Sequence, residues 1–277
     1  MNKFGLLMSL LALSPLSSSI AAETNINIAN DMAELNNGKN KQIITLLKKD
    51  NSNLSHITYN EFNIGNEGVI FNNKIGADTI INEVVSHSPS ELNGEIRLTG
   101  KKAKFILINP NGIICSSSCS FRNITHVNLV VGQTMLPSGA VVGRYADSTS
   151  ALVIKNTTKK IAERLILNSK NIEISNSNIK TDHLMLTNVY NYLNGSPSRN
   201  KMSIDKNSTI TSANINFNVI ETDINNEGVI KGNIRGMAIS SEFKNEGEIS
   251  GETLSLQSPD NSGITGNGKV TFKNGSL

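Results

Sequence analysis

The sequence lacks tryptophan, and aromatic residues make up only 4% of its 277 positions. Apolar residues still reach 38%, and most of them are isoleucine, leucine and valine, which suit β-strands. A core of such side chains fits thin, stacked strands better than the broad interior of a globular enzyme. The composition therefore favours an all-β fold.

The sequence also has no large excess of charge of one sign, because its 26 basic and 23 acidic residues leave a net charge of +3. Without a block of like charge, no tail is present that could neutralise a run of phosphates. The short lysine clusters at 101–104 and 159–160 fit solvated strand edges. We therefore exclude nucleic acid as a partner.

After its first residues, the chain has no stretch approaching the roughly 20 apolar residues of a transmembrane helix, so no membrane span is predicted. The N-terminus follows the three-part pattern of a secretory leader, with a cation at Lys3, an apolar run over 4–13 and small residues at Ser19 and Ala21. We predict a signal peptide over residues 1–21 and an exported mature chain. An N-terminal core helix is the alternative.

Only two cysteines occur, Cys115 and Cys119. Export places them in an oxidising compartment, which favours a disulfide, while a buried, reduced pair is the alternative. Structural zinc needs four ligands, and the four histidines of the chain are scattered without paired spacing. We predict no metal site and no cofactor.

The most distinctive stretch is FILINPNGIICSSSCSF, residues 105–121, in which apolar runs flank the turn Asn109, Pro110, Asn111 and Gly112. Proline fixes φ and glycine accepts positive φ, so these residues form a tight turn. The asparagines can bond their own backbone, which keeps the turn ordered while it presents its amides outward. An ordinary corner between two strands is enough to explain these turn residues, and a functional role needs further evidence.

The C-terminal half of the sequence is periodic. The turn at 226–228, Asn-Glu-Gly, returns at 245–247, and the NEGVI of residues 66–70 recurs at 226–230. Spacings near 20 residues, with short strands and Asn/Gly corners, predict a β-solenoid in which each turn of the chain buries its inner face on the next. A β-sandwich is the alternative. Apolar-x-apolar triplets mark the inward faces at 165–167, 172–174, 184–186, 215–217, 237–239, 254–256 and 270–272.

Alternation and turn residues predict further elements in the rest of the chain. Residues 91–98 read as a hairpin around Asn93-Gly94, and residues 190–200 as an excursion from the solenoid. Residues 137–143 read as a turn and a strand. The other predicted strands are 42–47, 62–64, 69–71, 78–85 and 123–132.

No catalytic motif is present. The stretch GITGNGKV, residues 263–270, approaches a phosphate-binding loop, but Val270 replaces the magnesium-binding hydroxyl and a strand, not a helix, is predicted there. We interpret it as a solenoid turn and predict no catalytic residue. A glycan-active enzyme is the least favoured function, because the spacing of its candidate carboxylates does not force them together: Asp205, Glu221, Asp223, Glu227 and Glu248.

Several separated motifs occur in a defined order behind the leader: residues 55–73, residues 81–113 ending in NPNGI, the cysteine pair, and NLVVGQ at 128–133. Together they resemble the two-partner secretion domain of filamentous haemagglutinins, secreted haemolysins and contact-dependent inhibition proteins of Gram-negative bacteria. The resemblance covers roughly residues 24–256.

The resemblance implies a right-handed parallel β-helix with an N-terminal cap and extra-helical β-hairpins. It places one secretion domain over 22–277, with the cap and motif region at about 24–145 and regular rungs at about 150–277. It also implies export through the periplasm to the medium or the cell surface, after recognition by the periplasmic domains of a dedicated outer-membrane β-barrel transporter. In this family the NPNG turn, here Asn109 to Gly112, is linked to secretion competence.

Three features depart from the family pattern. Three serines separate the cysteines, where the haemolysin-like branch usually has two residues, and the upstream Asn-Pro motif is represented only by Ser88-Pro89-Ser90. Family members also carry a long passenger, so we expect a stand-alone or truncated exoprotein, or one that has lost its passenger. The predicted function is transporter recognition and seeding of β-helix folding; the alternative is an adhesin that binds a host or neighbouring cell surface.

Overall fold

The computed structural model describes residues 23–135, 143–145, 150–188, 199–258 and 263–276. These residues contain strands and turns and no helix, so no helix among them could cross a membrane. The strands are β1 (Asn25–Ile28), β2 (Ala33–Asn37), β3 (Gln42–Leu46), β4 (Leu54–Asn63), β5 (Val69–Asn73), β6 (Thr79–Val84), β7 (Ser90–Leu92), β8 (Glu95–Gly100), β9 (Lys104–Ile108), β10 (Ile113–Ser116), β11 (Ser120–Arg122), β12 (His126–Val130), β13 (Gln133–Met135), β14 (Gly143–Tyr145), β15 (Ala151–Lys155), β16 (Arg164–Asn168), β17 (Asn171–Ser175), β18 (Asn178–Thr187), β19 (Asn200–Ile204), β20 (Thr209–Ile220), β21 (Thr222–Asn226), β22 (Val229–Ile239), β23 (Glu242–Asn245), β24 (Glu248–Gln257), β25 (Ile264–Thr265) and β26 (Lys269–Ser276).

Three sheets share all of these strands except β13 and β14, which pair with each other, and the chain visits the three sheets in turn. The first face is the sheet β1-β4-β6-β9-β12-β16-β18-β20-β22-β24-β26, the second is β25-β23-β21-β19-β17-β15-β10-β7, and the third is β11-β8-β5-β3-β2. Strands β6, β7 and β8 thus make one rung, and β9 returns to the first face parallel to β6. The predicted parallel β-helix is confirmed.

The N-terminal end is closed by strands that run against the rungs. Strand β1 is antiparallel to β4, and β2 is antiparallel to β3. Buried aromatic rings continue this cap into the first rungs, with ring centroids 4.8 Å apart for Tyr59 and Phe62 and 5.3 Å apart for Phe71 and Phe105. The few aromatic residues of the sequence therefore reinforce the capped end of the core.

Beyond β11, single backbone hydrogen bonds continue the third face. The backbone N–H of Phe121 donates to the carbonyl of Ile161, and the N–H of Ile161 donates to the carbonyl of Lys180, at 2.7 and 3.1 Å. These bonds connect β11 to the first half of β18. Strands β18, β20, β22 and β24 are 10 to 12 residues long and carry the chain from the third face to the first.

The repeated Asn-Glu-Gly turns occupy equivalent positions in successive rungs, as the periodicity predicted. Asn226 pairs with Asn245 across β21 and β23, and its side-chain amide donates to Oδ1 of Asn245 at 2.7 Å. Both residues are buried. The Oδ1 of Asn245 is thereby satisfied at a corner where the backbone turns, whereas the buried Oδ1 of Asn226 has no hydrogen-bond partner.

Most predicted triplets face the core, but two do not follow the pattern. In residues 237–239 the buried residue is Ala238, and Met237 is 39% exposed. The reason is the register of β22, which aligns Ile234 with Ile215 and Ala238 with Val219. In residues 270–272 Val270 is 43% exposed, because β26 is the outermost strand of the first face.

The predicted hairpin at residues 91–98 is wrong. Strands β7 and β8 do not pair with each other; β7 pairs in parallel with β10, and β8 pairs in parallel with β5 and β11. Asn93-Gly94 is instead the corner between the second and third faces. A Cβ on Gly94 would lie 2.1 Å from the carbonyl oxygen of Gly65, so the stacked turns require a glycine there.

Other predictions fall wholly or partly outside the described residues. These are the signal peptide at 1–21, most of the turn and strand at 137–143, and most of the excursion at 190–200, of which 199 and 200 are described. An antiparallel pair, β13 with β14, flanks residues 136–142. Residues 263–270 form β25, a turn and the start of β26, which confirms a solenoid turn in place of a phosphate-binding loop.

Candidate functional site

The NPNG turn lies between β9 and β10, where the chain passes from the first face of the β-helix to the second. Asn109 and Gly112 are buried, whereas Pro110 and Asn111 are partly exposed. The backbone N–H of Asn109 donates to the carbonyl of Val130 in the following rung, at 2.9 Å. The turn is therefore integrated into the stack, with only its two central residues facing solvent.

Asn109 holds the turn from the inside. Its side-chain Nδ2 donates to the carbonyl of Ser88 and to Oγ of Ser90, both at 3.0 Å. Its Oδ1 accepts the backbone N–H of Asn111 at 2.9 Å, which forms an Asx-turn. The expectation that the turn presents its amides outward is thus wrong for Asn109, because a buried amide must find its partners within the protein.

Asn111 adds a second link to the preceding rung. Its Nδ2 donates to the carbonyl of Ser86 at 2.7 Å and to Oδ1 of Asn109 at 3.1 Å. Pro110 stands between the two asparagines with a fixed φ. The exposed surface of the turn is therefore a rigid ridge of Pro110 and Asn111.

Gly112 ends the turn with φ of +113°, a conformation that L side chains rarely adopt. A Cβ at this position would also lie 3.2 Å from the carbonyl oxygen of Ala151 in the next rung. The carbonyl of Gly112 accepts the backbone N–H of Ser90 at 3.0 Å. Glycine is required here by the backbone angle and by the close approach of a neighbouring rung.

Residues 86–90 form the support of the turn, and the sequence did not reveal this role. Ser90 is aligned with Ile113 in the parallel pairing of β7 and β10, so the Ser88-Pro89-Ser90 segment lies directly beneath NPNG. Ser88 and Asn109 are 21 residues apart, close to the solenoid period. That spacing was the available signal: a proline loop one period before another proline turn predicts stacking.

The disulfide between Cys115 and Cys119 is confirmed, with Cα atoms 5.5 Å apart and both residues buried. It closes the corner between β10 and β11, three residues beyond Gly112. Within this corner Ser117 has φ of +55°, and Oγ of Ser116 donates to Oδ1 of Asn93. The bond fixes the local path from the second face to the third.

The described residues of this region carry no chemistry-bearing cluster. No group of three or more His, Cys, Asp or Glu residues that could hold a metal ion occurs in the described part of the chain. Two of the carboxylates considered for catalysis have structural partners: Asp205 accepts the backbone N–H of Asn176 at 3.0 and 3.1 Å, and Asp223 pairs with Arg199. The turn and its support are suited to recognition by shape and hydrogen bonding.

Residues 19–273 match the TPS secretion domain family. A hemolysin of Proteus mirabilis is 34% identical over 133 residues, which are 41% of this chain and 8% of that protein. The tRNA nuclease CdiA of Yersinia mollaretii is 34% identical over 152 residues, 47% of this chain and 5% of that protein. The chain thus spans less than a tenth of the length of these relatives.

Among solved structures, the filamentous hemagglutinin secretion domain superposes with a TM-score of 0.64 at 17% identity, covering 91% of this chain and 96% of that one. This likeness supports the β-helical fold. The family match extends over nearly the whole sequence and includes every strand up to the middle of β26. The chain therefore belongs to the TPS secretion domain family, a family of secretion domains and not of catalytic ones.

Proposed function

We propose that this domain is recognised in the periplasm by the periplasmic domains of a cognate outer-membrane β-barrel transporter, and that it seeds β-helix folding as the chain emerges outside. The family match over residues 19–273 carries this proposal. The product is a secreted or surface protein, and its own role in export is non-enzymatic. The signal peptide over 1–21 and the single domain over 22–277 belong to the same proposal.

We propose that recognition by the transporter depends on one element of this fold, the NPNG turn. Pro110 and Asn111 offer the exposed ridge, while Asn109 and Gly112 hold it in place from within. Residues 86–90 complete the recognised shape because they carry the acceptors for both asparagines. Rigid presentation lowers the ordering cost of binding.

The stacking order supports stepwise folding of the chain as it emerges outside the cell. The antiparallel strands β1 and β2 close one end, and each later rung pairs in parallel with the one before it. A rung added to a capped stack buries its apolar face at once, so outside folding opposes backward movement of the chain. This gives export a direction without a further energy source.

The test is a fusion in which residues 1–277 precede a reporter made of an unstructured segment with an epitope tag. The fusion is expressed in a Gram-negative host with the two-partner secretion transporter of its own locus, and the reporter is measured by immunodetection in medium, cell surface and periplasm. A matched fusion carries only residues 1–22 before the reporter, and a second culture lacks the transporter.

We expect reporter at the surface or in the medium only when both the domain and the transporter are present. Reporter that stays in the periplasm in their presence would contradict the proposed function. Reporter that leaves the cell equally well without the transporter would contradict the proposed partner.

A further inference from the structure

The outer surface of the first face carries a line of cations. On this face the side chains that alternate with the core residues point to solvent, and four of them follow one another on β9, β12, β16 and β18. His126 is aligned with Lys104, and Arg164 is aligned with His183. Neighbouring strands lie about 4.8 Å apart, so the four groups form a column perpendicular to the strands. The column is Lys104, His126, Arg164 and His183.

Two arginines on this surface differ from three other described arginines, each of which forms an ion pair with a carboxylate. Arg97 and Arg122 both pair with Glu95, and Arg199 pairs with Asp223. Arg164 and Arg235, in contrast, form no ion pair in the part of the chain that the structure describes. Unpaired guanidinium groups on one face are available for an external anion.

Two adjoining clefts run across this surface. One, of about 180 Å³, is lined by His126, Arg164 and His183 among others; the second, of about 400 Å³, lies toward the C-terminal rungs. Asn216 and Arg235 line both clefts, so the two clefts adjoin at these residues. We call the outward-facing residues of β12, β16, β18, β20, β22 and β24 the outer track, and five strand spacings make it about 24 Å long.

The side chains of the outer track specify the chemistry of a ligand. Its C-terminal half offers amides and a hydroxyl, which donate and accept hydrogen bonds in the manner that sugar hydroxyls require. The imidazole Nδ1 of His126 is buried and has no hydrogen-bond partner. Among the described residues that line the two clefts there is no Phe, Tyr or Trp, although protein-binding sites are usually anchored by such side chains. The polar residues of this half are Asn214, Asn216, Asn218, Ser255 and Gln257.

From this arrangement we propose that the outer track binds a linear anionic glycan, with carboxylate or sulfate groups on Arg164 and Arg235 and hydroxyl groups on the amides between and beyond them. The arginines bind anionic oxygens through paired N–H donors. The outer track shares no residue with the NPNG turn or with residues 86–90, so this binding is separate from transporter recognition.

The test uses the mature chain and measures binding by titration calorimetry at about 0.15 M salt, where weak surface attraction is largely screened. The probes are a heparin-derived oligosaccharide, an oligogalacturonide, a neutral dextran oligomer and poly-glutamate. The variant Arg164→Gln with Arg235→Gln is compared with Arg122→Gln and Arg199→Gln together, which remove the same charge outside the outer track. Thermal unfolding shows that both variants are folded.

We expect saturable binding of at least one anionic oligosaccharide and none of dextran. The Arg164/Arg235 variant should bind at least about tenfold more weakly, since each lost charge-assisted hydrogen bond weakens binding substantially, while the control variant stays within about twofold. Absence of saturable binding by both anionic oligosaccharides would overturn the proposal, as would an equal loss in the two variants. Tighter, Arg164-dependent binding of poly-glutamate would also overturn it and assign the outer track to an acidic protein.

Discussion

The side-chain amide of Asn109 donates a hydrogen bond to the hydroxyl of Ser90, 3.0 Å away, and neither residue is exposed to solvent. The two residues belong to successive rungs, so the bond ties the NPNG turn to the loop beneath it. The motif therefore links two rungs through hydrogen bonds, and its exposed ridge depends on a buried amide.

Replacing Asn109 with alanine should lower the free energy of unfolding by about 2–3 kcal/mol. The substitution leaves the Ser88 carbonyl, the Ser90 hydroxyl and the Asn111 N–H without their partner, and an unsatisfied buried group costs about 1–3 kcal/mol. Guanidinium unfolding of the mature chain measures the change. The matched variant Asn111→Ala, at a partly exposed site, should cost about 1 kcal/mol. A loss of stability for Asn109→Ala no larger than that for Asn111→Ala would contradict the buried link between rungs.

Gly112→Ala should destabilise the fold by about 1–3 kcal/mol, because a side chain at φ of +113° is strained. Gly263 is the matched control, since a Cβ there would meet nothing within 4 Å. We expect Gly263→Ala to change stability by less than about 0.5 kcal/mol. The comparison is made by thermal unfolding, and equal effects of the two substitutions would show that the turn tolerates a side chain.

Reduction of the Cys115–Cys119 disulfide should cost only about 2 kcal/mol in the chain-entropy treatment, because the bond joins residues only 4 positions apart. Alkylation with iodoacetamide should add mass only after reduction. In hydrogen exchange we expect faster exchange in residues 113–122 of the reduced protein and unchanged rates in β20 to β24. Loss of protection throughout the β-helix would instead make the disulfide a global support.

The pKa of His126 should lie below its usual 6.5, because burial desolvates the imidazolium and because Arg164, Lys104 and His183 repel a further positive charge. As the pH falls, the His126 imidazole of the unfolded chain therefore binds a proton at a higher pH than that of the folded chain. Neutral His126 therefore stabilises the fold fully above pH 6.5, and the contribution is lost as the pH falls through the lowered folded-state pKa.

An NMR titration of the His126 ring measures this value. Arg164→Gln should raise the pKa by removing the first of the repelling charges, whereas Arg122→Gln, outside the outer track, should leave it unchanged. A midpoint at or above 6.5 in the unsubstituted protein would show that the column of cations does not act on His126.

Local chemistry made much of the fold predictable. The turn at Asn109 to Gly112 and the strands on either side follow from proline, glycine and apolar alternation within a few residues, and the repeat of Asn226 at Asn245 follows from the period. The same local signal failed at Asn93-Gly94, because an Asn-Gly pair suits a tight hairpin and a solenoid corner alike. What decides between them is the pairing of β7 with β10, which lies beyond the turn itself.

The candidate site was predictable only in part for a related reason. Asn109 and Gly112 could be found from turn chemistry, but the inward direction of the Asn109 amide depends on Ser88 and Ser90 in the preceding rung. The outer track was missed altogether, since its residues come from six strands that are brought together by register. In a β-helix, surface sites are assembled across the strands, and a linear motif does not contain them.

The central claim is tested most directly by export of the Asn109→Ala, Asn111→Ala double variant through the cognate transporter, measured as protein in the medium and at the surface after co-expression. The control, Asn226→Ala with Asn245→Ala, removes another buried asparagine link between rungs outside the motif. Urea unfolding of both purified variants shows whether their losses of stability are comparable.

We predict that the Asn109/Asn111 variant is retained in the periplasm while the Asn226/Asn245 variant is exported at near the unsubstituted level. Undiminished export of the Asn109/Asn111 variant would contradict the account. Equal retention of both variants would show that export requires general stability and not the NPNG turn.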